Sequence, residues 1–538
     1  MQMPSSILVA TFFGALLAAP LTAQTTVHVD FEFTPNTPAS SERFGQSLDM
    51  DGGLAIVGAP ENSEFAGAGG AAYAFVREPD GTWTEEAAFD VVNPGFFQRL
   101  GSNVAISGGR VALAAPTTQQ RVELYRRSAP GIWVPDGVIL PPATDVVEFG
   151  SSVALDGDRL AIGTTGSGFL GLGPGRAYIY ERAGGGNWFL ASTITSGIGG
   201  NFQGFASEMR FQGDRLAIGS SGDTTAGVDA AGAVYMVERQ SNGTWLPTDV
   251  VREPVLEVGG RFGCSVALDG DRLVVGAYGA DISATDMGEV HVFTRQPDAT
   301  WLHETEFTAS DVADGDSFGE TLDVYDGRLV VGSPGAESNG IPAGAAYLFE
   351  RRADGTWFES ARIELETPVS FDGLGSGVST SIALDGEQVL LGTRVRNDFQ
   401  GGVQVLDLGT LLHARSQISV AAGGSQSLSL RAGVERAGDV YLMLGSLTGT
   451  SPAVPLGGGV ELPLVPDAYT DLCVAVSAPL AAPFGVLGPD GEAQSAFVLP
   501  PAAAAGFTGL TVHHAYIAID LLTFDVFASN AVDVLLVP

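Results

Sequence analysis

Seven aspartates could do chemistry in this chain if the fold gathers them. They are Asp223 and Asp229 in "SSGDTTAGVDAAG", Asp281 and Asp286 further on, and Asp311, Asp314 and Asp316 in "SDVADGDSFG". Carboxylates spaced closely in glycine-rich loops suit a hard cation such as calcium, or a cationic partner. Aspartate is equally a residue that turns and solvates a loop. The six histidines, His28, His291, His303, His413, His513 and His514, are spread along the chain. The adjacent pair lies in the strand-like "LTVHHAYIAID", where neighbours point to opposite faces and do not share one metal. All six are expected to be solvated or packed. Cys264 and Cys473 lie too far apart in sequence to make a disulfide framework. Cys264 occupies a position where parallel segments carry Gln46, Ser102, Ser151, Ser207, Glu320 and Thr380, so it reads as the filler of a small polar slot. No serine-hydrolase elbow, zinc motif or phosphate loop is present. The expectation is a protein that is not an enzyme, with no catalytic residue and no metal ligand set.

The elements that must position these residues follow from a repeat. "FGSSVALDGDRLAIG" (149–163), "FGCSVALDGDRLVVG" (262–276) and "FGETLDVYDGRLVVG" (318–332) are copies of one unit, and weaker copies start at Phe44, Leu100, Phe205 and Val378. In all seven, the second residue precedes by thirteen a Gly or Ala that closes a second strand: Gly58, Ala114, Gly163, Gly219, Gly276, Gly332 and Gly392. A third apolar run follows, then a turn and a tryptophan. Six arginines each precede their tryptophan by six positions, from Arg77 and Trp83 to Arg351 and Trp357. Hairpin dipeptides such as Asp156-Gly157 and Asp354-Gly355 join the runs. Each unit is therefore expected to form four antiparallel strands. The seventh lacks its tryptophan strand, and "VHVDFEF" (27–33) sits in fourth-strand register, eleven residues ahead of Phe44. It is expected to pair with the third strand of the last unit and close a ring, leaving no long open edge. The fold class is all-β, a seven-bladed β-propeller followed by a β-sandwich.

Phe-Gly at the start of the unit and Gly58-Ala59-Pro60, echoed by Gly332-Ser333-Pro334, make the chain resemble FG-GAP repeat proteins over about residues 25 to 410. These include integrin α-subunit propellers and secreted bacterial relatives. The resemblance implies an extracellular ligand-binding or scaffolding module. The integrin-like D-x-D-x-D-G calcium loop is replaced here by a tight "DGDR" turn, so no cofactor is expected, and calcium remains open only at the acidic loops. Tyr and Trp recur ten apart, as in Tyr73 and Trp83 or Tyr347 and Trp357, a spacing also found in Kelch propellers.

Composition bounds the partners. The net charge is −36 and all 26 basic residues are arginine, which disfavours nucleic acid and anionic membranes. The opening apolar stretch is too short to span a bilayer and ends in small residues, so residues 1–23 are expected to be a secretory signal. Residues 24–413 are then the propeller, and 414–538 a sandwich containing strand-like runs such as "DLCVAVS" and "VDVLLVP". The loops from second to third and from fourth to first strands vary and are expected to bind an extracellular protein or glycan. A surface-assembly role and a secreted enzyme are the other two readings, and the oligomeric state is unassigned.

Overall fold

A computed structural model describes residues 26–537 apart from short internal stretches, chiefly 63–68, 91–97, 166–174, 197–203, 475–479 and 501–507. The expected secretory signal lies outside the described residues. Two compact parts are separable, Thr26–Leu408 and Gly409–Pro538, and among the described residues no helix is long and apolar enough to cross a membrane.

The first part is built from antiparallel sheets with one repeat per sheet. In repeat five the strands are Ser265–Asp269, Arg272–Ala277, Glu289–Arg295 and Trp301–Phe307; in repeat six, Leu322–Tyr325, Arg328–Ser333, Ala345–Arg351 and Trp357–Leu365. The first strands of the seven repeats pack side by side in chain order. That of the seventh (Ile382–Asp385) packs on that of the first (Ser47–Asp51), which returns the array to its start.

The repeated residues hold neighbouring sheets together. Phe44, Phe149, Phe205, Phe262 and Phe318 are fully buried. Beside each, the glycine closing a second strand lets the next sheet approach: a Cβ on Gly276 would collide with the Gly319 carbonyl, and one on Gly392 with the Gly45 carbonyl. The hydroxyls of Ser47, Ser152, Ser265 and Thr321 donate to the backbone carbonyls of Gly101, Ala206, Gly319 and Gly375 in the following repeat. The aspartate of the first turn does similar work. Asp51 accepts from the Gly108 amide, Asp156 from Gly213, Asp269 from Gly327 and Asp385 from Gly52. In repeats two and four the paired arginine and tryptophan converge on a glutamate of the preceding sheet: Arg239 and the Trp245 indole both donate to Glu181, and Arg127 and Trp133 to Glu86.

The amino-terminal stretch corrects the expectation of a single closing strand. Only Glu32–Phe33 pairs with Val403–Asp407, setting Phe33 against Val403. Thr26–Val29 instead runs parallel to Trp357–Leu365, as a fifth strand on the repeat-six sheet. Asp30 and Phe31 lie outside the described residues. Burial explains the division: Val27 and Val29 are covered on the repeat-six edge, while Phe33 packs 4.5 Å from Phe75 and 5.9 Å from Trp83 in repeat one.

Among its described residues the second part holds two larger sheets and a two-stranded one, Val454–Gly457 with Val460–Leu462. One larger sheet orders Leu411–His413, Gly424–Arg431, Glu492–Leu499 and Leu480–Ala481; the other orders Gln417–Ser419, Val532–Val537, Thr511–Ile519, Val440–Ser446 and Phe484–Val486. Phe497 and Leu499 of the first sheet pack with Leu442, Leu444 and Ile517 of the second. The first four residues of "DLCVAVS", Asp471–Val474, are not a strand but the end of the helix Ala468–Val474, and the other three lie outside the described residues. Asp467 caps the helix by accepting the amides of Tyr469 and Thr470, which outweighs the β preference of the apolar run. His514 is buried against the Tyr469 hydroxyl at 3.0 Å, and its neighbour His513 is half-buried. Burial pushes the His514 imidazole down to about 3.

Candidate functional site

The seven aspartates do not share one site. Asp223 is buried and accepts the Tyr235 hydroxyl at 2.7 Å. Asp229 accepts from Thr224 in its own loop. Asp281 accepts the Asp286 amide at 2.8 Å, which closes their loop. Asp311 pairs with Arg362 and accepts the Tyr347 hydroxyl at 3.0 Å. Asp316 is buried and turns the chain by accepting the Ala313 amide; burial raises its carboxyl above the usual range. Asp314 is exposed. Among the described residues, the side-chain groups able to surround a metal ion include none of the seven. Asp223 and Asp311 thus serve tyrosines, and Asp229, Asp281 and Asp316 serve their own loops.

A charged cluster crosses the ring of first strands. Arg210, on Phe205–Gln212 of repeat four, lies 3.8 Å from Asp49 of repeat one and 3.8 Å from Asp323 of repeat six. Most of the other repeats carry alanine at the same register: Ala105, Ala154, Ala267 and Ala383. One guanidinium serves three carboxyls here, because Glu208 is close enough to join the charge balance. Burial pushes Asp49 up to about 6 and Glu208 up to about 7, against the pull of Arg210. Asp49 and Asp323 also accept the amides of Ile106 and Leu384 in the following sheets. The cluster therefore ties non-adjacent sheets together across the ring.

The third neighbourhood is the one the sequence reading missed. His291 and His303 are not scattered. They meet between the third and fourth strands of repeat five, with His291 Nδ1 3.4 Å from His303 Nε2. Glu306 Oε2 lies 3.2 Å from His303 Nε2 and 3.8 Å from His291 Nδ1. On the other edge of the buried His291 ring, Nε2 is 2.9 Å from Glu289 Oε1 and 3.9 Å from Glu253 Oε1. The strands create this convergence. His291 pairs directly with Glu306, and a bulge after Val292 sets His303 opposite Phe293, so residues three apart on the fourth strand reach the same face. Burial, with His291 beside it, holds His303 below the ordinary imidazole range. Neither Glu253 oxygen makes a hydrogen bond of good geometry, and burial pushes its carboxyl up to about 8, with Glu289 and Glu257 adding to the rise. A signal was available in the sequence: repeat five carries His291 where the ten-residue spacing to tryptophan elsewhere begins with Tyr73, Tyr178, Tyr235 and Tyr347.

Cys264 lies between the carbonyls of Gly276 (3.2 Å) and Gly319 (3.4 Å), the polar slot expected for it. Burial pushes its thiol up to about 12, which keeps it protonated.

The model of the FG-GAP repeat matches residues 31–75, 257–293 and 301–349, covering sheets in repeats one, five and six. The chain carries FG-GAP repeats. Among curated proteins no sequence matches it. Of solved structures, the periplasmic gluconolactonase PpgL of Pseudomonas aeruginosa is similar at 13% identity and a TM-score of 0.41, covering 61% of this chain and 87% of that one. Sqt1 from Chaetomium thermophilum is similar at 10% identity and a TM-score of 0.42, covering 69% and 83%. At these scores neither likeness bears on activity. The FG-GAP pattern and the nearly all-β structure, with many antiparallel sheets of four strands, are compatible with a β-propeller.

Proposed function

We propose that this FG-GAP chain is a secreted or cell-surface binding module without a catalytic role. In this reading it is a seven-bladed propeller closed by its amino-terminal segment and followed by a β-sandwich. One end of the propeller meets an extracellular protein or glycan.

The contrast between the two ends of the sheets supports this reading. At the end bearing the first-to-second-strand turns, the aspartates are committed to amides of the next repeat. At the opposite end the loops display apolar side chains to solvent: Val255 and Val258 are 75% and 74% exposed and Phe371 is 71% exposed. Phe371, in a loop of that same end, and Phe399, at the end of the short helix Arg396–Phe399 there, also hold positive φ values of 69° and 67°, a conformation that costs a non-glycine residue energy. Exposed apolar groups set among aspartates suit a protein surface with apolar and cationic features, or the apolar face of a sugar.

The test immobilises the full chain and measures binding across a panel of extracellular proteins and glycans. Val255→Asp with Phe371→Asp is expected to abolish saturable binding, while Leu246→Asp, on the outer fourth strand, leaves it intact. Undiminished binding by the loop variant would overturn the reading.

A further inference from the structure

We propose that His291, His303 and Glu306 form a binding site for a transition-metal ion of the zinc class, with Glu289 holding His291 in the tautomer that ligation requires. The proposal goes beyond the binding role above and is independent of it.

The separations carry the geometry. Zinc binds imidazole nitrogen and carboxylate oxygen at about 2.0–2.2 Å in a tetrahedron, so two ligand atoms on one ion lie about 3.3–3.6 Å apart. The three donor atoms here stand 3.4, 3.2 and 3.8 Å from one another. A small movement of the half-exposed Glu306 brings the longest separation into range. All three sit on paired strands rather than in loops, so the arrangement is held by the ladder between Glu289–Arg295 and Trp301–Phe307.

The protonation pattern agrees. Glu289 Oε1, 2.9 Å from His291 Nε2, can only accept from that nitrogen when ionised. The ring proton is then on Nε2, which leaves the Nδ1 lone pair facing His303 and Glu306. A carboxylate behind the distal nitrogen of a histidine ligand is the usual support of a zinc site. Two nitrogens and one oxygen favour zinc and its neighbours over calcium, which takes six to eight oxygens. Glu306 and His303 are partly open to solvent, giving an ion a path in and leaving a fourth position for water or a donor atom of a ligand. Glu253 offers a competing site with Glu289 on the Nε2 side. The Nδ1 side is favoured because its donors are spaced as a tetrahedron requires, and because a metal on Nε2 would displace the Glu289 hydrogen bond.

The full chain, stripped of metal, is titrated with zinc by calorimetry in excess calcium, which occupies the many unspecific carboxylates. Cobalt is then added as a spectroscopic probe of tetrahedral nitrogen and oxygen ligation. A single equivalent of zinc is expected to bind. His303→Ala and Glu306→Gln, both on the outer strand, should abolish that binding. His291→Tyr, which restores the residue of four other repeats and keeps the fold, should abolish it as well. Glu289→Gln should weaken it by about 10–100-fold, and Glu253→Gln should leave it unchanged. Absence of stoichiometric zinc binding, or undiminished binding by His303→Ala, would overturn the proposal. Loss confined to Glu253→Gln would also overturn it, by placing the ion on the other side of the ring.

Discussion

In repeat six, Tyr347 lies opposite Arg362 across the third and fourth strands; in repeat five the same register sets His291 opposite Glu306. Both repeats carry the bulge one residue further on, and both place a glutamate or histidine, Glu359 or His303, opposite the following phenylalanine. The backbone is thus the same tool used twice. In repeat six it closes on itself: Arg362 pairs with Asp311 and with Glu364 at 2.7 Å, and Tyr347 donates to Asp311. In repeat five the cation has been replaced by an anion and the phenol by an imidazole. Donor atoms then face one another with no protein cation between them. The lesson is that a repeat fixes distances, and single substitutions decide whether those distances serve an internal ion pair or an external ion.

Four predictions test this contrast, from the largest expected effect down. Arg362→Ala should cost about 2–4 kcal/mol in urea denaturation, because it leaves the mostly buried Glu364 and the neighbouring Asp311 without their cation. A cost no larger than that of a surface pair would mean that repeat six is not locked by this arginine.

Glu253 supplies a pH test, since repeat six has the buried Ala309 at the corresponding position. The folded Glu253 carboxyl lies near 8, above its ordinary 4.5. The folded state therefore holds this proton more tightly, and the contribution is full at acid pH and lost as pH rises from about 4.5 through about 8. Glu253→Ala should match the wild type near pH 4 and exceed it by on the order of 1–3 kcal/mol near pH 9, read from melting curves across that range. Parallel curves for the two proteins would rule out the buried, protonated carboxyl.

Gly276→Ala, in repeat five, pushes a methyl group against the Gly319 carbonyl of repeat six. It is expected to destabilise by about 1–3 kcal/mol, checked by the same denaturation. A neutral result would show that the two sheets can part without cost. The smallest effect concerns the exposed bond between them: Glu304→Gln weakens its 3.0 Å contact with Arg351 and should change stability by less than about 1 kcal/mol, with the loss shrinking further in high salt.

The strand order was legible because it rests on local chemistry. Phe-Gly, the closing glycine thirteen residues on, the Asp-Gly turns and the Arg-to-Trp spacing recur with the unit, and each has one steric or hydrogen-bonding cause repeated from sheet to sheet. The slot for Cys264 and the opposite faces of His513 and His514 followed from the same alternation. For the seven aspartates, spacing along a loop does not say what a carboxylate will meet. Asp223 and Asp311 are taken by tyrosines twelve and thirty-six residues away, and Asp316 by its own turn.

What the tertiary structure alone decided lies where residues distant in sequence share space. The amino-terminal strand divides between two sheets because Val27, Val29 and Phe33 find burial in different places. Arg210 meets Asp49 and Asp323 only because first strands far apart in sequence face one another across a ring. His291, His303 and Glu306 converge only because a bulge shifts the fourth strand by one residue. Sequence by itself determines periodic contacts, whose partners sit at constant offsets; it leaves unspecified the register shifts and cross-ring approaches, whose geometry exists only once the sheets have packed.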